Sequence, residues 1–184
     1  MSRKEAVQRI KEVAEEQLTK LDLSGLELEE VPPEISTCTH LVELSLNDNQ
    51  ITSIPEVIGQ LSNLKWLYLS ANQISEISEA IGQLSNLLGL NLRNNQITSV
   101  PKALGQLSNL EELTLSRNQI IEIPEALGQL SNLTMLTLNY NQITSIPEAL
   151  AQLSNLIELR IKGNPITSIP EAVRKLPKLT IIDK

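Results

Sequence analysis

The chain has 184 residues, with 15 Lys and Arg against 22 Asp and Glu, and its net charge of −7 argues against a general nucleic-acid or anionic-membrane surface, which requires a basic stripe. Aromatic residues make up 2% and Phe is absent, so any core has to be built from Leu and Ile. Cys38 is the single cysteine, which excludes an internal disulfide.

The first predicted element is a helix over residues 2–17, SRKEAVQRIKEVAEEQ. Ser2 with Glu5 three positions on forms a capping-box pattern. Ala6, Val7, Ile10, Val13 and Ala14 recur at helical spacing and make one apolar stripe. The segment lacks the apolar stretch of about 7–15 residues that marks a signal peptide. No part of the chain approaches the ~20 apolar residues of a membrane-spanning helix. The stripe is expected to cover the apolar end of the segment beginning at Leu18, so residues 1–17 read as a capping helix; a partner-binding helix is the alternative.

From Leu18 the chain repeats itself. Asn49, Asn72, Asn95, Asn118, Asn141 and Asn164 are each 23 residues apart, and every one closes a segment of the form LxxLxLxxN, with Ile161 for the third Leu in the last. A constant period of this length means stacked structural units rather than one globule. Seven repeats start at Leu18, Leu41, Leu64, Leu87, Leu110, Leu133 and Leu156, spanning residues 18–178. Residues 179–184 read as a partial eighth with an uncapped end. Within a unit, positions 1, 4 and 6 are expected to point inward. Positions 3, 5 and 7 alternate outward, as the two-residue period of a strand requires. In the second half of a unit, Pro55-Glu56 is expected to open a short helical turn with Pro at its first position. Gly59 is expected to let the turn end tightly, and Ser62-Asn63 to lead into the next strand. The departures cluster at the ends: Leu26 for the repeated Asn, Cys38 for a core Leu, His40 for Asn63, and Arg174 for the Gly. Ser78 replaces the Pro of other units, and nothing in the sequence explains it.

The pattern LxxLxLxxN is the signature of leucine-rich repeats, and the resemblance runs from Leu18 to the end of the chain. It implies an α/β fold: a curved right-handed solenoid with a parallel sheet on the concave face and short helical turns on the convex face. Extracellular members carry Cys-rich caps, so a single cysteine points to a cytoplasmic protein. The wording NQITSIPEALGQLSNL resembles repeats of bacterial, especially cyanobacterial, proteins of this family. The charged helix running into LTKLDLSGLELEEVPPEI, and the late Gly163-Asn164-Pro165, resemble the repeat domain of Roco proteins. In those proteins such repeats precede a GTPase domain and a dimerisation domain. This chain contains neither, so the resemblance implies an isolated repeat domain and carries no GTPase activity over to it.

The Asn column reads as structural, because a buried amide can satisfy backbone donors and acceptors at once. Cys38 and His40 are two residues apart, but a strong zinc site takes about four ligands and the chain has one Cys and one His. They read as structural, and no metal or cofactor is expected. No phosphate loop and no Ser–His–Asp set is present, so catalysis is not expected. Glu56, Glu79, Glu125, Glu148 and Glu171 share one repeat position and read as solvated helix starts favoured by the helix dipole.

The outward strand positions vary while the frame does not. Position 3 reads Lys20, Glu43, Trp66, Gly89, Glu112, Met135, Glu158, and position 5 reads Asp22, Ser45, Tyr68, Asn91, Thr114, Thr137, Arg160. Gly89 next to Trp66 is expected to leave space beside the indole. Aromatic and Arg side chains dominate interface hot spots. The candidate partner-binding residues are therefore Trp66, Tyr68, Asn91, Arg93, Arg117, Met135 and Tyr140. The partner would be a protein, a peptide or an adjacent domain of the same chain, not nucleic acid or membrane, with weak self-association through the C-terminal strand edge. A stand-alone scaffold or host-interacting effector remains an alternative, as does an engineered consensus scaffold without a native ligand.

Overall fold

The computed structural model describes residues 2–183, and the Ser2 side chain of the capping box lies outside what is described. Helix α1 (Ser2–Glu16) comes first. It is followed by eight three-residue strands: β1 Lys20–Asp22, β2 Glu43–Ser45, β3 Trp66–Tyr68, β4 Gly89–Asn91, β5 Glu112–Thr114, β6 Met135–Thr137, β7 Glu158–Arg160 and β8 Thr180–Ile182. They form one parallel sheet in sequence order, so each strand pairs only with its neighbours in the repeat series. Five-residue 3-10 helices stack on the opposite side, from Pro33–Thr37 to Glu148–Gln152, and the series closes with the four-residue helix α2 (Glu171–Arg174). The result is an α/β solenoid with its sheet along the concave face.

Strand registers through β7 follow the 23-residue period, for example Leu44 opposite Leu67 and Leu67 opposite Leu90. The Leu at positions 1, 4 and 6 are buried, as Leu64, Leu67 and Leu69 show, except that Leu18, expected to point inward at the start of the first unit, is 42% exposed. With the Ile of the second half-unit, such as Ile51, Ile54 and Ile58, they make one continuous column. A unit this thin cannot bury its own apolar face, so stacking is what removes it from water.

The last strand departs from the count. Leu159 pairs with Ile181 and Arg160 with Ile182, a 22-residue step. A strict 23-residue count would turn Ile182 inward, whereas Ile181 packs against the core and Ile182 is 38% exposed. A slip of one residue exchanges the faces of a strand, and here it chooses between two isoleucines.

Two sequence expectations about the helical half-unit are corrected. Pro55, Pro101, Pro124 and Pro147 stand one residue before their helices, extended, with φ between −74° and −68°. Each supplies the carbonyl that starts the helix; Ile58 N–H, for instance, donates to Pro55 O at 3.1 Å. Ser78 takes the same place, and its hydroxyl accepts from Ala80 N–H at 3.2 Å, so it caps the helix chemically where Pro does so by shape. Gly59 does not end a turn. A Cβ there would stand 2.7 Å from the Ala80 carbonyl oxygen of the next unit, so the glycine permits close stacking of successive 3-10 helices.

The end-repeat departures build the seat of α1. Ala6, Ile10 and Val13 are buried against the first unit. Cys38 Sγ donates to Ile10 O at 3.5 Å, and His40 Nε2 meets Val13 O at 3.2 Å, which places the proton on Nε2. Arg9 Nη1 donates to Asp22 O at 2.9 Å, occupying a carbonyl at the outer edge of β1.

Candidate functional site

Each Asn of the column bridges two units. Asn95 Nδ2 donates to Leu69 O of the preceding unit at 2.9 Å and to Leu92 O of its own at 3.1 Å, while its Oδ1 accepts from Ile74 N–H at 3.0 Å. Asn49, Asn72, Asn118, Asn141 and Asn164 repeat the arrangement. A second Asn ladder, beyond the sequence expectations, runs along the turns that precede the strands. Asn63, Asn86, Asn109, Asn132 and Asn155 each donate to the carbonyl 24 residues earlier, as Asn86 Nδ2 does to Ser62 O at 2.8 Å. Their constant spacing was the available signal. His40 holds the corresponding place in the first unit and turns its bond to α1 instead.

The concave face divides by how its polar groups are used. At the N-terminal end Lys20 pairs with Glu43 at 2.6 Å. That hydrogen bond and charge raise the Lys20 pKa. Tyr68 lies in the same depression of about 470 Å³. Burial, and then Glu43 and Glu112, push its phenol pKa upward. At the C-terminal end Arg160 pairs with Glu158. Met135 stands in register between Glu112 and Glu158.

Trp66 and Gly89 are register partners on β3 and β4. The indole does not leave the space beside Gly89 open. It fills it, because a Cβ on Gly89 would stand 2.3 Å from Trp66 Cε3 and Cζ3. Tyr140 and Gly163 make a second such pair, with the Gly163 Cβ position 2.5 Å from Tyr140 Cδ1. In both, an aromatic ring lies on the backbone of the glycine one unit further on.

Arg93, Arg117 and Tyr140 are not on strands but in the turns just beyond them, at the rim of the sheet. Arg117 and Tyr140 have left-handed backbones, φ 59° and 57°. Asn91 Oδ1 accepts from Arg93 N–H at 3.0 Å, which uses the amide oxygen locally and fixes the start of that turn. Arg93 and Arg117 line one shallow depression of about 300 Å³ with Ser70, Ala71 and Asn94. The Arg117 guanidinium lies 5.0 Å from the centre of the Tyr140 ring. The seven candidate residues therefore form two groups, Trp66–Tyr68–Asn91 on the sheet and Arg93–Arg117–Tyr140 on its rim, with Met135 apart from both. A larger depression, about 930 Å³, lies on the helical side around exposed Ile121 between Val100 and Ala149, and it carries no aromatic side chain.

The family model described as a leucine-rich repeat region matches residues 16–118, more than half of the chain. The chain belongs to the leucine-rich-repeat family. A second model, for leucine-rich repeats in two copies, matches residues 108–152 and 131–170. This leucine-rich-repeat chain is similar to a leucine-rich-repeat protein of Leptospira interrogans, with 31% identity and a TM-score of 0.69 over 97% of this chain and 56% of that one. An internalin of Listeria monocytogenes is 28% identical with a TM-score of 0.72, over 90% of this chain and 53% of that one. The chain thus spans about half the length of each. The leucine-rich-repeat ectodomain of the membrane receptor kinase GASSHO1/SCHENGEN3 from Arabidopsis thaliana, solved in complex with Casparian strip integrity factor 2, is 32% identical with a TM-score of 0.66, over 82% of this chain and 22% of that one. No curated protein sequence matches the chain significantly. Among the described residues, no helix is long and apolar enough to cross a membrane.

Proposed function

We propose that the chain is a non-enzymatic recognition module that binds a protein or peptide on its concave face, centred on repeats three to six. The observation that carries this reading is the way Trp66 and Tyr140 are held. Each ring is fixed over a glycine of the next unit, and Tyr140, which also carries Arg117 over its ring, stays 44% exposed, so contact area is pre-ordered before a partner arrives. The receptor-kinase ectodomain solved in complex with its factor supports a binding role for repeats of this kind. In the finer reading, the module works in the cytoplasm as the repeat domain of a Roco-like GTPase and contacts a partner or the adjacent domains. That reading is supported by the resemblance of α1 with residues 18–35, and of the Gly163-Asn164-Pro165 turn, to the repeat domain of those proteins.

The double substitution Trp66→Ala with Tyr140→Ala tests the binding face. It is expected to abolish capture of partners from a lysate while the far-ultraviolet circular dichroism stays that of the parent. Each substitution uncovers a glycine backbone, so the melting temperature falls modestly and capture is measured well below it. Unaltered capture by the folded double variant removes the concave face from consideration. The Roco reading is tested at the locus, where the reading frame is expected to continue past Lys184 into a phosphate-binding loop.

A further inference from the structure

We infer that the rim of the concave face is a receptor for carboxylates of an acidic peptide segment, with Arg93 and Arg117 as the two donors. The inference rests on the concave-face reading and adds the chemistry of what is bound. The chain is acidic, at −7, yet positions 7 and 8 of repeats four to seven read Arg93-Asn94, Ser116-Arg117, Asn139-Tyr140 and Lys162-Gly163. Three cations occur in that strip and no carboxylate. Elsewhere on the same face the cations are already engaged, Lys20 by Glu43 and Arg160 by Glu158. Among the described residues neither Arg93 nor Arg117 takes part in an ion pair, although both line the same depression.

Local contacts also fix the Arg117 guanidinium and the turn that carries Arg93. Tyr140 packs on Gly163 and carries Arg117 over its ring, with the guanidinium carbon 5.0 Å from the ring centre. Asn91 anchors the backbone of Arg93. A planar cation stacked on an aromatic face loses little freedom when it accepts a carboxylate in forked geometry. Ser70 does not compete for an incoming anion, because its N–H and hydroxyl both donate to Asn47 Oδ1 at 2.8 Å. Charge complementarity therefore selects an acidic segment, and the strip reaching Lys162 accommodates more than one acidic side chain.

The test uses the intact, nitrogen-15-labelled protein titrated with N-acetyl-tetraglutamate amide, followed at the arginine Nε–H resonances. Tetraglutamine amide and inorganic phosphate serve as parallel titrants. Arg93 and Arg117 are expected to shift along one saturating curve, with an affinity roughly tenfold above that of any response at Arg3 or Arg174. Arg117→Gln is expected to abolish the shift of Arg93, and Arg93→Gln that of Arg117. Neither substitution threatens the fold, since both side chains are exposed. Equal shifts at all arginines, an equal response to tetraglutamine, or tighter binding of phosphate would each overturn the inference. If the Trp66 and Tyr140 double variant loses partners while the arginines ignore tetraglutamate, the carboxylate assignment fails and the concave-face reading stands. If partner capture survives the double variant, the failure belongs to the concave-face reading instead.

Discussion

At the scale of single residues, the most demanding place in the repeat is position 8. Gly25, Asp48, Ala71, Asn94, Arg117, Tyr140 and Gly163 occupy it, and all have positive φ, from 54° to 72°. The turn after each strand requires that conformation whatever the side chain. A left-handed backbone costs an ordinary residue roughly 1–2 kcal/mol, and glycine escapes that cost while losing about 0.4–1 kcal/mol through its freer unfolded chain. Ala71 has φ 54° and is only half-buried, so Ala71→Gly is expected to raise stability by up to about 1 kcal/mol. Gly163→Ala is expected to do the reverse, because its Cβ would also strike Tyr140. Urea denaturation of the pair checks both signs, and a destabilised Ala71→Gly would contradict the account of the turn. Arg117 and Tyr140 stay in this place at a cost, which makes them better candidates for a task than residues that fit without strain. The Asn column lies one residue further on and is purely a matter of satisfied groups. Asn95→Leu strands the Ile74 N–H and the Leu69 and Leu92 carbonyls, and is expected to lower stability by about 1–3 kcal/mol in an equilibrium melt. An unchanged melt would show that the ladder carries no weight.

At the scale of elements, the helical half-units show two solutions to one problem. A 3-10 helix of five residues cannot hold itself together, so its start has to be fixed from outside. Pro does this by its restricted φ, and Ser78 does it by a side-chain bond to Ala80 N–H. Ser78→Ala is expected to lose about 1 kcal/mol. Ser78→Pro is expected to fall close to the parent, because φ of −60° suits proline and the entropy it removes from the unfolded chain offsets the lost cap. Denaturation of the three proteins side by side decides the matter, and equal stability of the Ala variant would mean that the hydroxyl caps nothing. Helix α1 is attached on the same principle. Cys38, His40 and Arg9 make bonds that no internal repeat makes, all between α1 and the first unit. This is why the first repeat departs from the pattern at Cys38 and His40, the two of its residues that bond to α1 through their side chains.

At the scale of the whole molecule, the period makes the fold legible. With 23 residues as one unit, strand positions, inward Leu and the Asn column all come out together, because each neighbour sees the same environment. What the period does not show is contact between units that depends on side-chain shape. Gly89 reads as an empty place in a column, whereas the indole of Trp66 closes it. Gly59 reads as a turn residue, whereas it is a spacing residue. Arg117 and Tyr140 are legible as unusual but not as a stack, since their approach depends on backbone torsions in the turn. The register of the last strand is equally hidden, since Leu179 fits the count and only the packing of Ile181 reveals the one-residue slip.

That slip has a consequence for assembly. The two ends of the sheet are treated differently: α1 packs against β1 and Arg9 takes up the Asp22 carbonyl, while β8 has a strand on one side only among the described residues. An unprotected edge offers a row of backbone donors and acceptors to another copy. The slip adds the side chain of Ile182, 38% exposed, to that edge. The 184-residue chain is therefore expected to associate weakly and reversibly through β8, with the sedimentation coefficient rising as concentration increases. Ile182→Lys places a charge on the edge and is expected to restore a single monomeric species without altering the melt, because the residue lies outside the core. Removing α1 would act at the other end, uncovering Ile35, Cys38 and Leu21, and would strengthen association rather than relieve it. If Ile182→Lys sediments like the parent at every concentration, contact through β8 is excluded.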